Sequence, residues 1–257
     1  MKKKDDENDL LIAKVLDKKK FCDTRNKITY TDFLNEKEQA IVLKNVKLNN
    51  AFFYGGNKNA DRKILVFYPE KLDEDLARRS LDSLVCALRI VLPNDMKGEY
   101  EHRNYLSALI KIGLERSKVG DILVDDDGAD IVIFDANVEF ARQALMELTR
   151  FKKSRFEKVC IDDVRCKVDN FDESTIIVAS MRVDNVVAEL ARCSRSAADE
   201  YIVDERVLIN YETVLKGAKI VEIGDVVTIR GKGKFIIDGL VRNTRNDRCV
   251  LKVKKYA

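Results

Sequence analysis

The chain has 257 residues, of which 46% are hydrophobic and 35% are charged, so it can bury more than one core beneath a polar surface. Its longest apolar runs extend over only a few residues, which excludes a membrane-spanning helix. The basic start MKKKDDENDL lacks the apolar segment of a secretory signal. With no C-x-x-C motif and a single histidine, the scattered cysteines predict free thiols in a reducing cytoplasm rather than a metal site. The cysteines are Cys22, Cys86, Cys160, Cys166, Cys193 and Cys249.

The net charge of +3 is distributed unevenly along the chain. From Arg230 to the end, nine Lys and Arg residues against two Asp and Glu residues give +7, whereas residues 1–229 hold 38 basic and 42 acidic residues. The terminal cations alternate with apolar residues in strand-like segments, so we expect them on a folded face. A basic end of this kind indicates a polyanionic partner.

Residues 1–78 predict a mixed α/β domain. Helices are predicted over 10–22 and 36–48, and the stretch NAFFYGGNKNADRKILVFYP predicts two strands joined at Gly55-Gly56. Glycine permits the positive φ of such a turn, which we favour over a close approach to a phosphate. Neither G-x-x-x-x-G-K-[ST] nor G-x-G-x-x-G occurs, so the sequence predicts no nucleotide cofactor.

Residues 79–170 predict a ferredoxin-like β-α-β-β-α-β domain. RNA-recognition domains share this topology, but the stacking aromatic pair and the K/R-G-F/Y signature of those domains are absent. Three consecutive acidic residues at 125–127 predict a polar hairpin turn, because a calcium loop alternates its ligands. The predicted elements are strands over 84–92, 122–124, 131–134 and 156–161 and helices over 103–112 and 136–148.

Residues 175–257 predict a third domain. Val183, Val186, Val187 and Leu190 form one buried helix face. Ser194 is predicted to cap the next helix, whose exposed first turn then carries Arg195 and Ser196. Together with Arg182 these side chains would form a seat for a phosphate, although taken alone they favour a simple capped helix.

A basic, glycine-containing loop follows in the same domain, at Arg230-Gly231-Lys232-Gly233-Lys234. Its two glycines leave room for a sugar-phosphate backbone between three cations. Such basic turns are common, so the loop gains meaning only from the motifs that precede it.

These motifs together resemble the S4 RNA-binding domain. The resemblance lies in R-V-D at 182–184, S-R-S-A-A at 194–198, V-L-I-N at 207–210 and G-D-V-V at 224–227. One departure is Glu205, where the family usually has glycine, and it predicts a less tight turn after the helix. The resemblance implies that phosphates of structured RNA are bound by Arg182, Ser194, Arg195, Ser196, Asn210, Arg230, Lys232 and Lys234.

The upstream stretches FYGGNKNADRK and HRNYLSALIKIGLERSKVGDILV resemble the YlmH-type S4 proteins. The family pattern is departed from at Asn57, Asp61, Asn104 and Ser107. The resemblance implies an α+β protein of three modules that has no enzymatic activity and binds rRNA and tRNA on the large ribosomal subunit. It also implies a role in ribosome-associated quality control on subunits blocked by peptidyl-tRNA, and a link to cell division with a protein partner there.

Two alternatives remain open from the sequence. One is an RNA-modifying enzyme with an active site in residues 80–165, for which Asp121, Asp135 and His102 are the only candidate residues. No Ser, Cys or Asp at a known motif spacing accompanies His102. We therefore favour a histidine that makes structural or RNA-backbone contacts at the start of a helix over one that acts as a general base. The other is a cell-division scaffold whose partner is a protein.

Overall fold

The computed structural model describes residues 2–56, 60–81, 83–165, 171–244 and 248–256. The α+β chain forms two compact units, Met1–Lys167 and Val168–Ala257. The boundary predicted near residue 78 lies inside the first unit. Asn57 and Cys166, which entered the sequence-based predictions, lie outside the described residues.

The first part of this unit is a small antiparallel sheet with strand order β1-β3-β2 and helices beside it. Its helix α2 begins at a capping box, in which the Glu38 N–H donates to Asn35 Oδ1 at 3.0 Å and the Asn35 N–H donates to Glu38 Oε2 at 2.7 Å. The predicted helices and hairpin are confirmed. The elements are α1 (Lys2–Arg25), β1 (Thr29–Tyr30), α2 (Glu36–Asn45), β2 (Ala51–Tyr54), β3 (Ile64–Phe67) and α3 (Glu74–Arg79).

The second part of the unit confirms the predicted ferredoxin-like order. Its elements are β4 (Val85–Val91), α4 (His102–Lys111), β5 (Val119–Asp125), β6 (Gly128–Phe134), α5 (Asp135–Met146) and β7 (Arg155–Val159). The strands pair antiparallel in the order β5-β6-β4-β7. The acidic stretch is the predicted polar turn, since Asp125 Oδ1 accepts the N–H groups of Asp127 and Gly128 at 2.9 and 3.0 Å.

Both faces of the β5-β6-β4-β7 sheet are buried. Alternate residues of β4 and β6 point to opposite sides, as the period of a strand requires. On one side Cys86, Leu88, Ile131 and Ile133 pack against Tyr105 and Leu109 of α4 and Val138 and Ala141 of α5. On the other side Val85, Ala87, Val132 and Phe134 pack against Phe33, Phe52, Ile64 and Leu81 of the first part. The sheet face that an RNA-recognition domain offers to bases is therefore inside this unit's core.

A buried carboxylate joins the two stretches that carry the YlmH-type resemblance. Asp121 on β5 accepts the backbone N–H groups of Asp61 and Arg62 at 2.9 and 3.0 Å. The Arg62 guanidinium in turn donates to the carbonyl oxygens of Phe33 and Val119, both at 2.9 Å. These contacts give Asp121 a structural role in connecting the two parts of the unit.

The Gly55-Gly56 pair is explained by the turn and by close packing. Gly56 has a φ of +88°, which favours glycine. A Cβ atom at Gly55 would collide with Ala60, and one at Gly56 would collide with Ile161. No phosphate is needed to account for either glycine.

The second unit packs its helices on one face of an antiparallel sheet with the strand order β10-β9-β11-β12-β13-β8. Val186, Val187, Ala198 and Ile202 of the helices contact the inner face of this sheet. Its elements are β8 (Phe171–Val178), α6 (Val183–Ala191), α7 (Arg195–Val203), β9 (Val207–Ile209), β10 (Glu212–Thr213), β11 (Val226–Ile229), β12 (Gly233–Asn243) and β13 (Cys249–Tyr256).

The turn after α7 is tight although Glu205 replaces the glycine usual in S4 domains. Glu205 has a φ of 55°, its N–H donates to the Ile202 carbonyl at 3.1 Å, and the Arg206 N–H donates to the Tyr201 carbonyl at 2.9 Å. This is the hydrogen-bond pattern of a Schellman motif. The looser turn expected from the sequence is wrong, because the backbone hydrogen bonds hold a glutamate in the left-handed conformation.

Replacing Glu205 with glycine should therefore stabilise the second unit. Removing the side chain relieves the left-handed strain, so we expect E205G to raise the free energy of unfolding by about 1 kcal/mol in urea titrations followed by circular dichroism. E200G is the matched control inside α7, where glycine should cost about 1 kcal/mol. A lower stability of E205G than of the wild type would contradict this explanation of the turn.

Candidate nucleic-acid interface

A buried carboxylate organises the start of the helix pair in the second unit. Asp184, in the first turn of α6, has a side chain that is only 2% exposed. Arg182 Nη2 and Arg195 Nη2 each donate to Asp184 Oδ2 at 2.7 Å, and the Asn185 N–H donates to Oδ1 at 2.8 Å. The structure thus brings Arg182 and Arg195 together across 13 residues of sequence.

The ionised form of Asp184 is favoured by these contacts. Burial acts to raise the pKa of the Asp184 carboxyl, but the hydrogen bonds from Arg182, Arg195 and the Asn185 N–H outweigh burial and hold the pKa below its usual range. The side chains of Arg182 and Arg195 remain 39% and 56% exposed. Because an arginine has five N–H donors, each can bind Asp184 and still present donors to a phosphate.

The positive charge of this arginine pair is largely compensated. Asp184 accepts from both guanidinium groups, and Asp199 on α7 is close enough to Arg182 to raise its pKa further, after the larger effects of Asp184. The pair consequently offers oriented donors rather than an excess of positive charge. Any excess of charge must come from other cations.

Ser194 is the cap that the sequence predicts. Its Oγ accepts the Ala197 N–H at 3.2 Å, at the position that precedes the first residue of α7. Ser196 lies exposed on the first turn beside Arg195. The hydroxyl of Ser194 therefore stabilises the helix, whereas Ser196 on the same turn is exposed to solvent.

The turn between β11 and β12 presents further cations on a fixed backbone. Arg230 and Lys232 are exposed, and Gly231 between them has a φ of +84°. The Arg206 guanidinium donates to the Arg230 carbonyl at 2.9 Å, and the Arg230 N–H donates to the Arg206 carbonyl at 2.9 Å. These bonds hold the turn in one conformation.

A groove of about 740 Å³ runs between the end of α6, strand β8 and this turn. Lys232, Arg192 and Lys255 line it, together with the acidic residues Asp172 and Glu189. The sequence motifs do not point to Arg192 or Lys255, although Arg192 lies only two residues before the cap Ser194. The groove links the turn after α6 to the basic β11–β12 turn, so these residues form the candidate interface.

Of the eight predicted RNA-binding residues, Lys232 is the one that lines this groove, and Asn210 and Lys234 lie elsewhere in the unit. The Asn210 amide is engaged within the fold, since Nδ2 donates to Asp225 Oδ1 at 2.6 Å and Oδ1 accepts the Val226 N–H at 2.9 Å. It joins the V-L-I-N and G-D motifs to each other. Lys234 lies on the sheet face opposite the helices, with Nζ 4.3 Å from the ring centre of Tyr256. The eight predicted residues thus do not form one cluster.

The two candidate catalytic aspartates of the enzyme alternative are engaged in contacts that stabilise the fold. Asp121 binds backbone N–H groups as described above. Asp135 is ion-paired with Lys158, which holds the pKa of Asp135 below its usual range. His102 is the first residue of α4. Among the residues that the structure describes, no three His, Cys, Asp or Glu side chains are grouped as a metal site requires.

Comparison with known proteins identifies the domains. Residues 85–161 match the family model described as "Putative RNA-binding domain in YlmH", and residues 181–227 match the S4 domain. The chain is 27% identical over 240 residues to the "Ribosome-associated protein quality control protein P2" of Bacillus subtilis (strain 168), covering 92% of this chain and 91% of the relative. Among the described helices, none has the length and apolar content of a membrane span.

A solved structure, "Cell division protein ylmH from Streptococcus pneumoniae", is also similar. It aligns with a TM-score of 0.49 and 17% identity, covering 62% of this chain and 95% of that one. The matches to family models rest instead on the sequence, and they fall on the ferredoxin-like domain and on the helix pair with its sheet. The chain therefore carries a domain that matches the RNA-binding domain model of YlmH, followed by an S4 domain.

Proposed function

We propose that this protein is a non-enzymatic RNA-binding protein whose second unit binds structured RNA. The observation that carries the proposal is the groove lined by Arg192, Lys232 and Lys255, in the same unit as the arginine pair held by Asp184. Cations around a groove attract phosphates, and the oriented guanidinium groups add hydrogen-bond donors. Structured RNA is recognised mostly through its shape, phosphates and 2′-hydroxyls, which these side chains suit.

The RNA that we propose is rRNA and tRNA on the large ribosomal subunit. Support comes from the relative named as a ribosome-associated protein quality control protein. We propose a role in quality control on subunits that retain peptidyl-tRNA, carried out in the cytoplasm. The name of the pneumococcal structure suggests a link to cell division, and with it a protein partner there.

Alanine at both Arg195 and Lys232 should weaken RNA binding without unfolding the protein. Both side chains are exposed, and Asp184 keeps its bonds from Arg182 and the Asn185 N–H in the variant, so circular dichroism should be unchanged. With about five phosphate contacts, the affinity of the wild type should fall with salt at a log–log slope of about −3 to −4. In the double variant the magnitude of that slope should be smaller by about 1.4, because two contacts are lost. Gel-shift titrations of a tRNA at several salt concentrations measure both values.

K252A is the matched control for this experiment. Lys252 is a cation of the same unit, but its Nζ lies 2.9 Å from Glu173 Oε2 and 3.5 Å from Asp238 Oδ2. Its removal should leave the affinity within about twofold of the wild type. An unchanged affinity of the folded R195A/K232A variant, or a flat salt dependence of the wild type, would rule out this site.

The contribution of Asp184 to stability should disappear in acid. A carboxyl whose pKa is lowered in the folded state stabilises the fold above its unfolded pKa, and this stability is lost as the pH falls through the folded pKa. The wild type should therefore be more stable than D184N at pH 7, and the difference should narrow below about pH 4. Urea unfolding at pH 7, 4 and 3 tests this, and a difference that stays constant with pH would contradict it.

A further inference from the structure

The outer face of the sheet in the second unit carries a row of aromatic rings. Phe171 on β8 and Tyr256 on β13 face each other with ring centres 5.0 Å apart at 72°. Lys234 Nζ on β12 lies 4.3 Å from the centre of the Tyr256 ring and 5.1 Å from that of Tyr211, in the β9–β10 turn. Rings and lysine thus follow one another across the outer face, from β8 through β13 and β12 to the β9–β10 turn.

This row is not required by the hydrophobic core of the unit. The core is built from inward-facing strand residues and from α6 and α7, which pack on the inner face. Phe171, Tyr211 and Tyr256 do not belong to that core, and each remains partly exposed. Aromatic side chains that stand on a sheet face outside the core are the feature by which sheets bind unpaired bases.

The charge around the rings suits a phosphate backbone. The acidic side chains on this face are compensated, because Glu173 and Asp238 bind Lys252 and Lys254 at 2.9 and 2.8 Å. Lys234 lies among the rings, and the adjacent β11–β12 turn adds Arg230 and Lys232. The corresponding face of the ferredoxin-like sheet is buried, so it cannot offer a similar surface.

We propose that the outer face formed by Phe171, Tyr211, Lys234 and Tyr256 is a stacking platform for unpaired bases of a single-stranded RNA segment. This inference rests on the proposed RNA-binding function. It adds that the protein binds a single-stranded segment of RNA in addition to structured RNA. Bases stack on the rings, and Lys234 compensates the charge of the phosphate between them. The β11–β12 turn connects this platform to the groove on the inner side.

The platform predicts that a single-stranded tail increases affinity. The probes are an RNA hairpin with blunt ends and the same hairpin with a six-nucleotide 3′ tail that contains 2-aminopurine, whose emission falls when it stacks. Fluorescence anisotropy with the full chain should show about tenfold tighter binding of the tailed hairpin. The F171L/Y256L variant, which keeps apolar bulk but loses the ring faces, should lose this increment and the quenching while binding the blunt hairpin as the wild type does.

Matched variants separate this proposal from the proposed function. I177A lies on the same strand and face but at the other end of β8, and it should retain the tail increment. R195A/K232A should weaken binding of both hairpins and still favour the tailed one. If F171L/Y256L does not fold, K234Q, which removes only the charge, should reduce the increment.

Three results would contradict either the stacking platform or the proposed function. A tail increment that survives in folded F171L/Y256L overturns the platform and leaves the proposed function intact. Absence of binding to either hairpin by the wild type overturns the proposed function itself. Self-association of the wild type that F171L/Y256L abolishes would identify this face as an interface between copies of the chain, which also overturns the platform.

Discussion

The carboxylate of Asp184 is the contact on which the arrangement of the second unit depends. Asp184 lies at the start of α6. Its backbone N–H donates to the Gly217 carbonyl at 3.2 Å, and the backbone N–H of Val183 donates to the Lys219 carbonyl at 2.8 Å. The side chain meanwhile holds one arginine before α6 and one at the start of α7. A buried charge must be paired, so the fold and the orientation of both guanidinium groups are set by the same group.

The two units differ in which sheet faces remain exposed, and the fold class alone does not reveal this difference. In the first unit, the ferredoxin-like sheet is covered on one face by its helices and on the other by the preceding residues. That covered face carries Ala87, Val132 and the ion-paired Arg89 and Asp130, and the ring centre of its Phe134 lies 4.9 Å from that of Phe33. In the second unit the helices cover only one face of the sheet. This unit carries the exposed cations, and its aromatic rings lie on the sheet face that the helices leave uncovered.

The sequence predicted the order of elements, the cap at Ser194 and the S4 motifs, because these depend on local periodicity and on short spacings. It did not predict that Asp184 binds both arginines, because the residues before α6 and at the start of α7 meet only through the turn between the helices. The ring row was also missed, since Phe171 and Tyr256 lie 85 positions apart and are adjacent only through the pairing of β8 with β13. Glu205 shows the reverse case, where the glycine rule predicted a looser turn but the local backbone hydrogen bonds of the Schellman motif hold a glutamate in the left-handed conformation.

The most direct test is hydrogen exchange of the full chain with and without a tRNA. We expect RNA to slow exchange in the α6–α7 turn at 192–196 and in the β11–β12 turn at 230–232, while the amides of β4 and β6 keep their rates. Slower exchange confined to the first unit would contradict the claim that RNA binds through the second.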